Sequence, residues 1–210
     1  MSQPVRSDAA RNRQTLIDVA TRLFVAAGAG GEPSLRLIAR EAGVGIGTLF
    51  RHFPTREALV EAVYQDQVRR LTEGADQLLA AYPPAQAMRR WMDLFSEWLA
   101  TKNGMLDTLR AMVNNKQLGS AHTRTELLAA IDKILAAGRS AGDISAHATS
   151  EDVAAGLIGI FTVAPITSSS EQAARLLDIF MNGIAAPAAG EQTLARTRGA
   201  RRRSAADLDV

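Results

Sequence analysis

The chain has no cysteine among its 210 residues. That excludes disulfide staples, thiolate metal sites and cysteine nucleophiles, and it suits a reducing compartment. Sustained alternation of apolar and polar residues, rich in β-branched and aromatic types, is also missing, so strands are not expected. Long apolar runs are absent as well. The stretch 153–166 is too short and too rich in small residues to span a bilayer. Residues 1–14 are polar and charged, with no secretory leader pattern. A soluble, cytoplasmic protein without membrane contact is the expectation. Three scattered histidines, His52, His122 and His147, complete the list of scarcities. His122 and Glu126 are four apart and share a helix face, but two ligands do not make a metal site. No Gly-rich phosphate loop, serine elbow or carboxylate pair is evident, so neither catalysis nor a cofactor is expected.

What is present is ordinary globular composition, 47% hydrophobic and 22% charged, enough to bury a core. Charge is unevenly placed. Residues 1–56 carry eight arginines against four acids, a net +4, which leaves −2 for the remainder of a chain whose total is +2. A basic head on a mildly acidic body fits a polyanion at the head; a chance surface excess gives the same numbers.

Helical spacing dominates. The first helix is expected over about 8–27, with Leu16, Ala20, Leu23, Phe24 and Ala27 on one face. Gly28, Gly30 and Gly31 stop it. Ser34 caps a short helix over 35–41, Gly43 turns the chain, and a third helix covers about 46–53. Pro54 ends that helix and Thr55 caps a long one running to about 79. Further helices are expected over 84–100, 105–114, 120–141, from 149 or 150 to 164, and from 169 or 170 to 184, with Gly104 separating the first two. The Ala/Gly/Arg-rich stretch 188–210 reads as a disordered tail. The fold class is therefore all-α: a three-helix head over 1–54 and a larger helical body over 55–187.

Three helices within about fifty residues, with a Gly-containing turn between the second and third, make a helix-turn-helix. Ala39 lets those two helices cross closely, and Ile38, Val44 and Leu49 seal them against the first. The third helix opens with Gly45, Ile46, Gly47 and Thr48, so little bulk keeps its tip out of a major groove. Thr48 and His52 can donate to phosphate oxygens. Arg36, Arg51 and Arg56 are placed for phosphates or guanine edges. Singly, each is as well explained as a solvated surface group.

The stretch 34–59, SLRLIAREAGVGIGTLFRHFPTREAL, resembles the DNA-binding signature of the TetR family of transcriptional regulators. Residues 16–28, with Ala20-Thr-Arg-Leu-Phe24, resemble that family's first helix. The resemblance covers roughly 10–62. It implies that Gly47 packs on a sugar-phosphate backbone, that Thr48, His52 and Arg56 bind phosphates, and that Ile46 and Arg36 face bases. Phe50 departs from the family's usual tyrosine and lacks its hydroxyl. The Arg-rich start (Arg6, Arg11, Arg13) is either an extra DNA contact or a solvated arm. The resemblance further implies a homodimer on a palindromic operator, acting as a ligand-responsive repressor.

The body offers two candidate surfaces. Leu157, Ile160, Phe161, Leu176, Leu177, Phe180, Met181 and Ile184 form stripes that would pair two copies, with Gly156 and Gly159 allowing close approach. Trp91, Phe95, Trp98, Met105, Leu109 and Met112 would line a pocket for a small, largely apolar effector, near the polar Arg110, Asn114 and Asn115. Both sets read equally as the body's own core. The rival functional reading is an all-helical small-molecule-binding or interaction module that does not bind an operator.

Overall fold

The computed structural model describes residues 3–115, 120–163 and 170–186. Among them the order is α1 (Gln3–Ala27), a 3-10 turn (Gly28–Gly30), α2 (Leu35–Glu41), α3 (Ile46–His52), α4 (Arg56–Ala81), α5 (Pro84–Gly104), α6 (Leu106–Asn114), α7 (Ser120–Ala141), α8 (Ser150–Val163) and α9 (Ser170–Ile184). The all-α architecture is as expected. The stretch 188–210 lies outside the described residues.

Caps fix the short helices of the head. The Ser34 hydroxyl accepts from the Leu37 N–H at 3.2 Å, and the Thr55 hydroxyl from the Ala58 N–H at 3.1 Å. Each satisfies a donor that the first turn leaves orphaned. Between α2 and α3 the chain reverses at Gly43, whose φ is +68°. Any side chain there would sit in the left-handed region at a cost of about 1 kcal/mol or more. The turn closes with Gly43 N–H on the Arg40 carbonyl and Val44 N–H on the Ala39 carbonyl, both at 3.0 Å.

Under α2 and α3, Leu16, Ala20, Phe24, Ile38, Leu49 and Phe53 are buried. Each large apolar side chain fully removed from water stabilises the fold by about 1.5–3 kcal/mol. The apolar interior then continues without a break from Leu16 to Ile184. In the body it holds Trp91, Met92, Phe95, Ile131, Ile134, Leu135, Val153 and Leu157.

Two boundaries differ from expectation. α1 starts at Gln3, five residues earlier than the apolar pattern suggests. Its early turns lack large apolar residues at helical spacing, so periodicity gives no sign of them, and Pro4 is tolerated in a first turn. α5 continues through Gly104 rather than ending near Ala100. Gly104 is not a breaker there. A Cβ at Gly104 would come within 1.9 Å of the Phe24 carbonyl oxygen, so its missing side chain lets the end of α5 press on the end of α1.

Candidate nucleic-acid interface

One face of α3 carries the head's core and the other is bare. Leu49 is fully buried and Phe53 nearly so. Gly45, Ile46, Gly47, Phe50 and Arg51 are exposed, while Thr48 and His52 are half-buried. Ile46 and Phe50 are two of the head's large apolar side chains left in water, at 38% and 45% exposure. A seven-residue helix that buries its core side chains and still spends two others on solvent has a surface suited to an external partner.

The glycines sharpen this. Gly45 and Gly47 have ordinary negative φ, and a Cβ built on either would meet nothing within 4 Å. Neither backbone conformation nor internal packing demands glycine at these two places. Bulk is absent only on the outer side, where an approaching surface would be. On the flanks, Arg36 and Arg51 are exposed and have no hydrogen-bond or ion-pair partner among the described residues. Two uncommitted guanidinium groups beside a small-residue helix tip suit a polyanion.

Arg56, unlike Arg36 and Arg51, has partners within the protein. Its Nη1 donates to Glu32 Oε2 at 3.0 Å and its Nη2 to the Pro33 carbonyl at 2.9 Å. Two of its donors are thus engaged within the protein, while 30% of the side chain stays exposed. Sequence reasoning missed Glu32 altogether, because a carboxylate in a loop carries no local signal of its distant partners. From Asp8 onward the Arg-rich start is part of helix α1 and stays exposed at Arg11, while the Arg6 side chain lies outside the described ones. Arg11 pairs with Asp8, and the Arg13 guanidinium lies 5.1 Å from the Phe53 ring centroid, a cation–π contact.

The head is braced on α4 by a buried carboxylate. Asp66 accepts from Arg69 Nη2 at 2.6 Å and Arg70 Nε at 2.8 Å, and Arg70 Nη2 reaches Asp18 of α1 at 2.8 Å. Burial alone would raise the Asp66 pKa, but the bonds and charges of Arg69 and Arg70 outweigh it and hold it below the ordinary value. Desolvation lowers the Lys102 pKa, with its Nζ 5.2 Å from the Trp98 ring centroid.

In the body, the six side chains read as a pocket lining are all buried. Trp91 and Phe95 lie 5.9 Å apart by ring centroids and Phe95 and Trp98 5.2 Å apart, all tilted. Trp91 Nε1 donates to the Leu71 carbonyl at 2.9 Å. These residues fill the interior of the body rather than border open space. Trp98 Nε1 is buried with no partner among the described residues. Arg110, Asn114 and Asn115 face solvent. A groove of about 630 Å³ lies elsewhere, between α1, α4 and α5, with Thr21, Arg22, Val25, Gln67, Ala100 and Thr101 on its walls.

The pairing stripes divide in two. Leu157, Phe161, Leu177 and Ile184 are buried inside the protomer, because α8 and α9 turn their most apolar edges onto α5 and α7. This corrects their placement on a partner surface. Ile160, Leu176, Phe180 and Met181 are half-buried. The outward face instead shows Ile158 at 54% and Ile179 at 66% exposure, two residues absent from the sequence reading. Gly156 serves the α8–α9 contact, since a Cβ there would fall 2.6 Å from the Phe180 ring. Gly159 faces open space. Among the described residues, no group of three or more His, Asp or Glu side chains could hold a metal ion, and no helix is long and apolar enough to cross a membrane.

Comparison with known proteins agrees with this geometry. Residues 16–63 match the family model for bacterial regulatory proteins of the tetR family, and residues 83–186 match that for the C-terminal domain of SbtR-like transcriptional regulators. An HTH-type transcriptional regulator of Staphylococcus aureus (strain USA300) is 41% identical over 61 residues, 29% of this chain. The match spans only 32% of that relative's length, so it concerns the head alone. The crystal structure of the TetR transcriptional regulator SCO0520 from Streptomyces coelicolor is 39% identical, with a TM-score of 0.77 over 84% of this chain and 99% of that one. The TetR transcription regulatory protein from Mycobacterium vanbaalenii is 33% identical, with a TM-score of 0.67 over 87% of this chain and 99% of that one. With a bare α3 face held on a compact head, and two solved relatives matched over nearly their whole length, the chain belongs to the TetR family of transcriptional regulators.

Proposed function

We propose that this protein is a transcriptional repressor that inserts α3 into the major groove of an operator. The observation that carries the proposal is the outer surface of α3, where Gly45 and Gly47 leave open space that nothing inside the fold requires. Gly47 lies against the sugar-phosphate backbone, Thr48 and His52 donate to phosphates, and Arg36, Ile46, Phe50 and Arg51 contact bases or flanking strands. The head, residues 1–54, reads DNA, and the body over 55–187 pairs and responds to a ligand. The protein acts in the cytoplasm.

One head reads only a short half-site, so two copies must present their heads about 34 Å apart on a palindromic operator. The pairing face we assign is the outer side of α8 and α9. Ile158 and Ile179 are exposed there, Ile160, Leu176, Phe180 and Met181 are half-buried, and Gly159 allows close approach. The effector is a small, largely apolar molecule with a hydrogen-bond acceptor. It enters among Trp91, Phe95, Trp98, Met105, Leu109 and Met112 by parting side chains that otherwise fill the interior, and its acceptor pairs with the buried, unpartnered Trp98 N–H. Its binding favours a head spacing that mismatches the operator.

Selection from a random-sequence duplex pool at low ionic strength tests the central assignment. A recurring palindrome whose affinity falls steeply with salt is expected. Recovery of no preferred duplex by folded protein would reject operator binding and favour a ligand-binding module without DNA.

A further inference from the structure

One carboxylate joins three parts of the chain that are far apart in sequence. Glu32 follows the 3-10 turn, and its side chain is 13% exposed. Oε1 accepts the backbone N–H of Thr108 at 2.8 Å, and Oε2 accepts the Thr108 hydroxyl at 2.5 Å. Oε2 also accepts from Arg56 Nη1 at 3.0 Å, and Arg56 Nη2 closes the ring on the Pro33 carbonyl at 2.9 Å. Thr108 lies 76 residues from Glu32, and Arg56 lies 24 away.

Each partner sits at a helix start. Thr108 is in the first turn of α6, where backbone N–H groups have no partner within the helix. A carboxylate there also suits the positive end of the helix dipole. Arg56 is the first residue of α4. The Gly104–Phe24 contact holds the ends of α5 and α1 together beside them. The head thus caps a body helix with the same carboxylate that fixes its own link to α4.

We propose that Glu32 is the positioning residue through which α6 of the body sets the orientation of the DNA-binding head, and that Arg56 serves this link instead of a phosphate. The proposal rests on the operator-binding reading above. Displacing the first turn of α6 strips two donors from a nearly buried carboxylate, which then must re-pair. Its remaining partner is the guanidinium that ties the loop before α2 to α4, so the adjustment reaches α2 and α3. Coupling of this kind is reciprocal: binding at the head alters the protection of the Thr108 amide.

The test combines a mutant cycle with amide exchange on the full-length chain, using a duplex recovered by random-sequence selection as probe. Glu32→Gln and Arg56→Met should each weaken duplex binding about tenfold with the salt slope unchanged, and the double variant should be no weaker than either single one. Thr108→Val should weaken binding severalfold although it lies in the body, and Thr108→Ser should restore it. An Arg56→Met variant whose salt slope falls by about one phosphate, alongside a Glu32→Gln variant that binds more tightly, would overturn the proposal by making Arg56 a phosphate ligand. So would Thr108→Val lowering the unfolding midpoint while leaving duplex binding intact. If the wild-type protein selects no duplex, operator binding fails on its own, and exchange without DNA still decides the link. Thr108→Val must then quicken exchange of the α3 amides, and unaltered α3 exchange would refute the coupling.

Discussion

Head and body are built from the same material, helices with apolar stripes, yet their surfaces were unequally legible. In the head, chemistry is written in residues that have no structural reason to be there. Gly47 leaves open space, Phe50 stands in water, and Arg36 and Arg51 lack partners among the described residues. In the body, Leu157 and Ile158 are neighbours in sequence and both large and apolar, but one is fully buried and the other 54% exposed. Periodicity tells that a side chain is buried. It does not tell whether its own chain, a second copy or a ligand buries it.

The sharpest way to separate these cases is to charge the outward body face. Ile158→Arg combined with Ile179→Arg should convert dimer to monomer in light scattering while leaving secondary structure intact. Operator affinity should fall by about 10²–10⁴, the avidity of two linked heads. A variant that stays dimeric would place the pairing face elsewhere. Next in size, Leu157→Ala should cost about 2–5 kcal/mol in urea unfolding, because it opens a cavity inside the protomer. Loss of pairing with unchanged protomer stability would return Leu157 to the partner surface.

In the head the opposite pattern is expected. Gly47→Ala should leave stability unchanged or raise it by up to about 1 kcal/mol, since alanine favours helix. The same methyl should weaken operator binding by about 1–3 kcal/mol through overpacking against the duplex. Unaltered affinity would remove the reason given for that glycine. Smallest of all, Phe50→Tyr should tighten binding by about 0.5–1.5 kcal/mol if its hydroxyl reaches a phosphate; filter binding at fixed salt reads this directly.

The two regions also differ in how the sequence announced their structure. Past the start of α1, helix limits in the head were legible because caps and turns are local: Ser34, Gly43 and Thr55 each act within a few residues. The aromatic set of α5 was recognisable as apolar, yet its packing as interior was not separable from a pocket. Gly104 looked like a break because glycine usually is one, while its true constraint is the Phe24 carbonyl eighty residues earlier in the chain. Arg56 looked free for the same reason. Its partner Glu32 is fixed by the fold and by no nearby residue.

The central claim is that the outer face of α3 is the surface that meets the duplex. Titrating isotopically labelled protein with a selected duplex and following backbone amide shifts measures that directly. The account predicts that the largest changes fall on Gly45, Ile46, Gly47, Thr48 and Phe50, with Arg36 and Arg51 beside them. Changes concentrated on α8 and α9, with the α3 amides unmoved, would contradict it.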